Sequence, residues 1–311
     1  MKNRKYSPVF MMFLCIIMVV LLFPMTVNAD MGPKASVRIQ FEHMGDELCY
    51  GTLLSKEKST GPASAWDGRT ESAQKEYMDP GIWEIFVNYK DPDGYYFLQR
   101  SWKVSESKEL AWTYYPPDDF KILLYYPETE TFVSSGIYAR YAFDTYYTVD
   151  MDGVDIGSVE YNDDLSTNER IEAYRSYNYR QEMLALGARI VLTILIEMLV
   201  ALLFGFRQKK QLLILAVVNI ITQIILNVLL NVINYNSGPL AFTFFYVLFE
   251  LIVFALEAVL YCTILKRISE KKKEDAYYTL YSFVANLISF GAGLFLAAKL
   301  PGMFGDRDKL R

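Results

Sequence analysis

The hydrophobic residues of this 311-residue chain follow three different patterns. A single apolar run, 9–23, comes directly after a few basic residues at the start. Short runs in which hydrophobic and polar residues alternate fill 36–156, and four long apolar runs fill most of 184–298. In this order the patterns predict an export signal, a β-rich domain and a set of membrane-spanning helices.

The beginning of the chain is typical of a secretory signal. Basic residues precede the apolar run 9–23, and Val27-Asn28-Ala29 places small or apolar residues at the −3 and −1 positions of a cleavage site. We therefore expect residues 1–29 to be a signal peptide that is removed after export. The alternative is an uncleaved anchor helix made of the same residues.

Residues 30–165 have the pattern of a β-rich, sandwich-like domain. Near its start Val37, Ile39 and Phe41 alternate with polar residues, as in a strand with one buried face. Turn residues then separate short runs that are rich in aromatic and β-branched residues. The predicted strands are 36–44, 49–54, 83–89, 95–104, 120–126 and 138–149. Several short strands of this kind favour an antiparallel sandwich.

The rest of the chain is predicted to be helical. Ser166-x-x-Glu169 has the form of a capping box, which predicts a juxtamembrane helix over 166–183. Each of the four apolar runs that follow reaches the roughly 20 residues that a helix needs to cross a bilayer. These runs are 184–206, 211–233, 239–265 and 277–298. They predict a membrane α-helical bundle of four transmembrane helices over 184–299, followed by a tail, 300–311.

The charges between the apolar runs predict the orientation of the spans. Loops 207–210 and 266–275 are rich in Lys and Arg, whereas 234–238 carries no charge. Basic loops stay in the cytoplasm, so we predict both basic loops to be cytoplasmic and the β-rich domain to be extracytoplasmic. The export signal requires the same orientation. The chain is therefore predicted to be a multi-pass protein of the cell membrane.

Charge and reactive residues argue against several classes of protein. Residues 30–183 carry 15 Lys and Arg against 28 Asp and Glu, so the exported domain is acidic and a poor partner for nucleic acid. The single histidine, His43, argues against a histidine-based zinc site or a Ser-His-Asp triad. Only one cysteine, Cys49, lies in the exported domain, which must fold without a disulfide of its own. We expect no cofactor.

Polar residues recur at intervals of four along the apolar runs, which places them on one face of each helix. The candidates for an intramembrane polar site are Glu197, Asn219, Gln223, Asn227, Glu250, Glu257 and Asn286. Counting about 1.5 Å per residue from the middle of each run puts Asn286 near mid-bilayer and Glu257 about 10 Å closer to the cytoplasm. Because unpaired charge is costly to bury, these groups could hold a proton, a cation or a cationic group. Alternatively, they only bind the helices together.

All four tryptophans lie in the exported domain. Trp83 and Trp102 lie in predicted strands and are interpreted as core residues. Trp66, in an irregular stretch, and Trp112, beside two tyrosines, are candidates for surface contact with an envelope glycan or peptide. Filling the β core is the alternative for both.

Two turns, 91–94 (Asp-Pro-Asp-Gly) and 150–153 (Asp-Met-Asp-Gly), have the aspartate spacing with which a calcium loop begins. Neither has the further ligands that such a loop needs, so we interpret both as hairpin turns and predict no metal site. The sequence contains no Gly-rich phosphate loop, nucleophile elbow or paired-cysteine motif. Enzymatic activity is therefore not favoured.

Four segments carry a resemblance to a known family. They are Ala29-Asp30-Met31-Gly32-Pro33-Lys34, Tyr114-Tyr115-Pro116-Pro117, Tyr141-Ala142-Phe143-Asp144 and Asn219-x-x-Thr222-Gln223-x-x-x-Asn227. Together they resemble an uncharacterised family of exported four-span membrane proteins from Gram-positive bacteria, whose members often have proline where this chain has Ala35. The resemblance implies the compartment and architecture already predicted. It implies no function and no site residues.

The sequence leaves two classes of function open. In the first, the chain is a cell-surface binding, sensing or accessory module whose exported domain recognises an envelope glycan or peptide. In the second, the bundle conducts or transports a proton or cation and the exported domain regulates it. Four spans are few for a transporter that acts alone, so the second class predicts a homo-oligomer or another membrane protein as partner, besides membrane lipid.

Overall fold

The chain forms two units in the computed structural model. The structure describes residues 33–57, 64–69, 72–156 and 169–299. Lys34–Tyr177 form a β-rich unit, and the described residues from Asn178 to Lys299 form a helical unit. This confirms the prediction of a β-rich domain followed by long helices. The predicted signal peptide, 1–29, and the tail, 300–311, lie outside the described residues.

The first sheet of the β-rich unit contains four strands. They are β1 (Ser36–Glu42), β5 (Glu109–Trp112), β9 (Asp144–Asp150) and β11 (Ala173–Arg175). Their order is β11-β9-β1-β5. β1 pairs antiparallel with β5, and it pairs parallel with β9 along its whole length, from Ser36 opposite Asp144 to Glu42 opposite Asp150. A strand from the start of the unit therefore lies beside a strand from near its end.

The second sheet contains seven strands. They are β2 (Tyr50–Ser55), β3 (Tyr96–Phe97), β4 (Trp102–Lys103), β6 (Asp119–Tyr126), β7 (Thr131–Ser135), β8 (Tyr138–Ala139) and β10 (Glu169–Ile171). The main order is β10-β7-β6-β2-β3, with β4 also on β2 and β8 also on β6. Only the β10–β7 pairing is parallel among these described strands.

Strand β6 separates two hydrophobic cores because successive side chains of a strand point to opposite faces. Phe120, Ile122 and Leu124 join a core that also contains residues of the first sheet. Leu123 and Tyr125 point the other way, into a second core formed with helix α1 (Pro80–Asn88). The second sheet is thus covered on both faces. The described part of the unit also contains two shorter helices: a 3-10 helix (Ala73–Tyr77) and α2 (Val104–Ser107).

The prediction of a strand over 83–89 is wrong, because this segment belongs to helix α1. Asp79 caps that helix: its Oδ1 accepts hydrogen bonds from the backbone N–H groups of Gly81 at 2.8 Å and Ile82 at 3.2 Å. Pro80 occupies the first turn, where its missing N–H has no cost. A capping aspartate followed by proline starts the helix despite the apolar alternation that suggested a strand.

The prediction of a helix over 166–183 is wrong at residues 169–175. These residues form strands β10 and β11, and the helix starts only at Tyr179. β11 pairs with β9 from Ala173 opposite Val149 to Arg175 opposite Tyr147. These sheet contacts override the local capping-box signal.

The helical unit contains α3 (Tyr179–Leu203), α4 (Lys209–Leu260), a π-helix (Tyr261–Leu265), α5 (Lys266–Ile268) and α6 (Asp275–Lys299). Helix α4 is broken at Gly238, whose φ of 80° and ψ of −177° are not helical. Only glycine adopts this conformation readily, and Pro239 follows it. α4 therefore consists of a first segment, 209–237, and a second segment, 239–260.

Two helical stretches of the described chain are long and apolar enough to cross a membrane, Glu182–Leu203 and Lys209–Ile268. The four predicted spans do not appear as four such helices. The predicted runs 211–233 and 239–265 are joined within the single stretch that is broken at Gly238. Helix α6, which covers the run 277–298, is not one of the two stretches.

Candidate functional site

Three glutamates are buried inside the helical unit. Glu197 of α3 and Glu257 of the second α4 segment are 0% exposed, and Glu250, also in that segment, is 8% exposed. Glu197 interacts electrostatically with both of the others. Carboxylates from two different helices thus form one buried cluster, which we call the carboxylate cluster (Glu197, Glu250 and Glu257).

Glu257 is the best-anchored member of the cluster. The hydroxyl of Thr222 donates a hydrogen bond to its Oε1 at 3.0 Å, and the amide of Asn286 donates to its Oε2 at 2.7 Å. The same Asn286 nitrogen donates to the backbone oxygen of Ser282 at 2.9 Å. Glu257 therefore links both segments of α4 to α6.

The predicted depth difference between Glu257 and Asn286 is wrong, since the two side chains are hydrogen-bonded. The predicted depths rest on counting residues from the middle of each apolar run. The depth of each residue is instead set by its distance from the loop that joins the two helices, 269–274. Glu257 precedes this loop by about as many residues as Asn286 follows it, so the two residues face each other across an antiparallel pair.

Glu197 has weaker partners. The hydroxyl of Ser289 donates to its Oε1 at 3.5 Å, and Tyr281 donates to its backbone oxygen at 3.3 Å. Asn219 lies close to its carboxylate and to Tyr261. Within the described part of the chain, however, Oε2 of Glu197 and both amide atoms of Asn219 are buried without a direct hydrogen bond of good geometry. Such atoms are rare in folded proteins and mark this side of the cluster as incomplete.

Glu250 lies one turn from Tyr246, with which it interacts. Its Oε2 is also buried without a direct hydrogen bond to any described residue. Tyr246 packs close to Gly293 of α6, where a Cβ atom would come within 2.6 Å of the tyrosine hydroxyl. A glycine at 293 is therefore required for this contact.

The amide residues of the first α4 segment line the same interior. Asn219, Gln223 and Asn227 are each 3% exposed or less. The amide of Asn227 donates to the backbone oxygen of Gln223 at 2.8 Å and to its Oε1 at 3.2 Å. All seven predicted intramembrane residues are thus buried, and sequence analysis missed Thr222 and Ser289 as partners of the glutamates. The available signal was that both residues lie one helical turn from a predicted polar residue.

Of the two tryptophans predicted at the surface, Trp112 lies in the core and Trp66 is partly accessible. Trp112 is 2% exposed, and its indole N–H donates to the backbone oxygen of Tyr114 at 2.8 Å. Its prediction as a surface ligand contact is therefore wrong, because strand β5 points it into the core. Trp66 is half-buried and packs edge-on against Trp83, with ring centroids 5.5 Å apart.

The two calcium-like turns have different surroundings. The carboxylates of Asp91 and Asp93 hold the buried ammonium of Lys121, which sequence analysis missed. Asp150 instead pairs with His43 at 2.8 Å, and this contact raises the pKa of the histidine. Among the described residues, no group of three or more His, Cys, Asp or Glu side chains is placed to hold a metal ion.

An open cavity of about 610 Å³ lies on the β-rich unit. It is lined by Asp150, Asp152, Gly153, Val154, Asp155, Arg170, Glu172 and Tyr174. Arg170 donates to the backbone oxygen of Asp155 at 2.7 Å. The lining therefore carries four carboxylates around one guanidinium group.

Comparison with known proteins identifies no relative. No family model, curated protein or solved structure matches the chain. The resemblance to an exported four-span family therefore stays a prediction.

Proposed function

We propose that this chain is an integral membrane protein that crosses the bilayer four times, with the β-rich unit outside the cytoplasm. The observation that carries the proposal is the reversed polarity of the helical unit. Its exposed positions are apolar, as at Leu203, Leu213 and Phe295, each more than 60% exposed, whereas its interior holds glutamates and amides. A hydrocarbon environment favours this arrangement, and water does not.

The break at Gly238 supports four crossings rather than two. The stretch Lys209–Ile268 has 60 residues, far more than the roughly 20 that span a bilayer. A turn at Gly238 divides it into two spans, and α6 supplies the last. Loops 207–210 and 266–275 then lie in the cytoplasm. Protease added to intact cells should remove the β-rich unit and spare both basic loops; cleavage within those loops would contradict this orientation.

Within the membrane, we assign the carboxylate cluster the role of a proton or cation site. Three carboxylates share one interior, and in the described chain none of them forms an ion pair with Lys or Arg. Arg189, which lies on α3 of the same unit, is hydrogen-bonded to Asn231 instead. Buried carboxylates without a protein cation must bind protons or an external cation. The oxygen atoms of Glu197 and Glu250 that lack a direct hydrogen bond are the available proton acceptors.

Flux through reconstituted vesicles tests this role. Purified protein is incorporated into vesicles that contain a pH-sensitive or a sodium- or potassium-sensitive dye, and an ion gradient is imposed. We expect flux above that of protein-free vesicles. It should be lost in Glu197→Gln, Glu250→Gln and Glu257→Gln, and kept in the control Glu270→Gln, which changes an exposed loop carboxylate.

Two results would contradict the assignment. One is wild-type protein that carries no proton, sodium or potassium flux above empty vesicles. The other is a set of three glutamine variants that all match the wild-type flux. Each variant is first checked by gel filtration in detergent, so that loss of flux is not mistaken for loss of folding.

The acidic cavity of the β-rich unit favours a second candidate function, recognition of a cationic envelope ligand. Four carboxylates around the cavity complement an amino sugar or a lysine-containing peptide. Calorimetric titration of the full chain with a glucosamine oligomer and with an N-acetylated oligomer of equal length tests it. We expect binding of the cationic oligomer only, weakened in Asp152→Asn. Equal behaviour of the two oligomers would contradict a charge-based site.

A further inference from the structure

Lys121 is an unusual residue in the β-rich unit because its charged side chain is 0% exposed. It lies in the central strand β6, opposite Leu54 of β2. Strand alternation places it on the same face as Leu123 and Tyr125, which belong to the core under helix α1. Lysine is almost never fully buried unless it is paired, so its partners must account for its position.

Two carboxylates contact the ammonium group of Lys121. Its Nζ lies 2.9 Å from Oδ1 of Asp91 and 2.8 Å from Oδ2 of Asp93. The Asp91 side chain is as buried as the lysine, at 0% exposure, whereas Asp93 is 43% exposed. The lysine lowers the pKa of Asp93 below its usual value, so Asp93 is ionised at neutral pH. One carboxylate is thus enclosed with the amine, and the other reaches it from the surface.

The second oxygen of Asp91 is held by the backbone. Oδ2 accepts hydrogen bonds from the N–H groups of Asp93 at 3.0 Å and Tyr95 at 3.2 Å. Two backbone N–H groups on one carboxyl oxygen are the arrangement that stabilises negative charge during acyl transfer. The site therefore combines an amine, a carboxyl group with a charge-stabilising pair of donors, and a neighbouring carboxylate that can move protons.

From this geometry we infer that Lys121 and Asp91 condense to form an intramolecular isopeptide bond, with Asp93 as the catalytic acid–base residue. Asp93 removes a proton from Nζ, and the nitrogen attacks Cγ of Asp91. Oδ2 of Asp91 carries the developing negative charge and keeps its two N–H donors.

The reaction ends when the C–Oδ1 bond breaks. Overall, the ammonium group loses two protons and the carboxylate loses one oxygen. These combine to leave as water, with Asp93 passing protons to the departing oxygen. The products are an amide and one water molecule, so the step requires no oxidant or other reactant. The enclosed site favours it, because the amide replaces two buried charges with a neutral group.

The bond would join the loop after α1 to the central strand of the second sheet. The β-rich unit contains a single cysteine, Cys49, and cannot form a disulfide within itself. An isopeptide bond would restrict the unfolded chain in the same way as a disulfide that closes the segment 91–121. It gives an exported domain a covalent brace without thiol chemistry.

Mass spectrometry of the denatured, trypsin-digested full chain tests the bond directly. An amide on Lys121 blocks cleavage after it, so peptide 91–100 should be joined to peptide 109–140. The joined species should be lighter than the two peptides together by one water molecule. Recovery of separate peptides 91–100, 109–121 and 122–140 as the main products would overturn the proposal.

Variants test the roles of Lys121 and Asp93. Lys121→Arg keeps a cation but should yield only separate peptides. Asp93→Asn should slow bond formation by about a hundredfold or more, the usual contribution of a positioned acid–base group, when linked peptide is followed in time after synthesis. Asp67→Asn, which changes an exposed aspartate that pairs with Arg69, should form the bond at the wild-type rate. Wild-type rates in Asp93→Asn would refute the catalytic role of Asp93.

If an aspartate or lysine variant fails to fold, the wild-type digest still decides whether the bond exists. This test does not depend on membrane insertion or on the carboxylate cluster. Its result therefore leaves the proposed function of the helical unit unaffected.

Discussion

Replacing Trp112 with alanine should strongly destabilise the β-rich unit. The side chain is 2% exposed and packs against Trp102, with ring centroids 5.6 Å apart. Truncation of a buried tryptophan costs about 3–5 kcal/mol, because the transfer free energy is lost and a cavity remains. The backbone oxygen of Tyr114 also loses its indole donor. We expect a loss of about 4 kcal/mol in the free energy of unfolding.

This loss is large relative to the stability of a typical domain, about 5–15 kcal/mol. For a unit of this size it corresponds to a fall in Tm of about 10–20 °C. Tryptophan fluorescence of the full chain during thermal or urea unfolding measures it. All four tryptophans lie in the β-rich unit, so the signal of the remaining three reports on that unit and not on the helices.

Tyr77→Ala is the matched control, because this aromatic side chain is 83% exposed. Its removal should change the free energy of unfolding by no more than about 0.5 kcal/mol. Equal effects of the two substitutions would refute the placement of Trp112 in the core. A stable Trp112→Ala protein that no longer binds an envelope ligand would instead restore the surface interpretation.

Three further predictions concern single contacts. Burial raises the pKa of the Cys49 thiol to about 12, so N-ethylmaleimide should modify it only after denaturation; rapid labelling of the native protein would contradict this. Asp150 raises the pKa of His43 above 6.5, so NMR titration of this single histidine should give a value that falls towards normal in Asp150→Asn. At a pH below the unfolded pKa of the histidine, the pair should therefore add a small stabilisation to the unit, and this contribution should disappear as pH rises through the folded pKa. An unchanged titration in the variant would contradict the contact. Gly293→Ala should lower the thermal stability of the detergent-purified protein because of its clash with the Tyr246 hydroxyl, and Tyr246→Phe should restore it; additive effects of the two changes would contradict the contact.

Much of the strand pattern could be predicted because each face of a strand has a constant environment. The alternation of Val37, Ile39 and Phe41 corresponds to β1, all three being buried. The prediction of a strand at Trp83 is wrong because apolar alternation in a short run suits a helix equally well. The signal that distinguishes the two is Asp79 followed by proline, which starts a helix and is unfavourable within a strand.

The polar faces of the helices could be predicted, but not their partners. A spacing of four places Asn219, Gln223 and Asn227 on one face, and all three are buried. The contact of Asn286 with Glu257 depends on how two helices are aligned by the loop between them, which periodicity within one helix does not contain. Lys121 illustrates the same limit, since its counter-ions lie far away in the sequence.

The parallel pairing of β1 with β9 has a consequence for the order in which the unit can be made. β1 is an interior strand of its sheet, but its parallel neighbour, β9, is more than a hundred residues away in the sequence. The neighbour of β9 on the other side, β11, ends at Arg175, only a few residues before helix α3 begins. Contacts this distant form slowly and cannot form during early synthesis. The first sheet therefore cannot be completed until the ribosome has passed β11 and is close to the first helix of the helical unit.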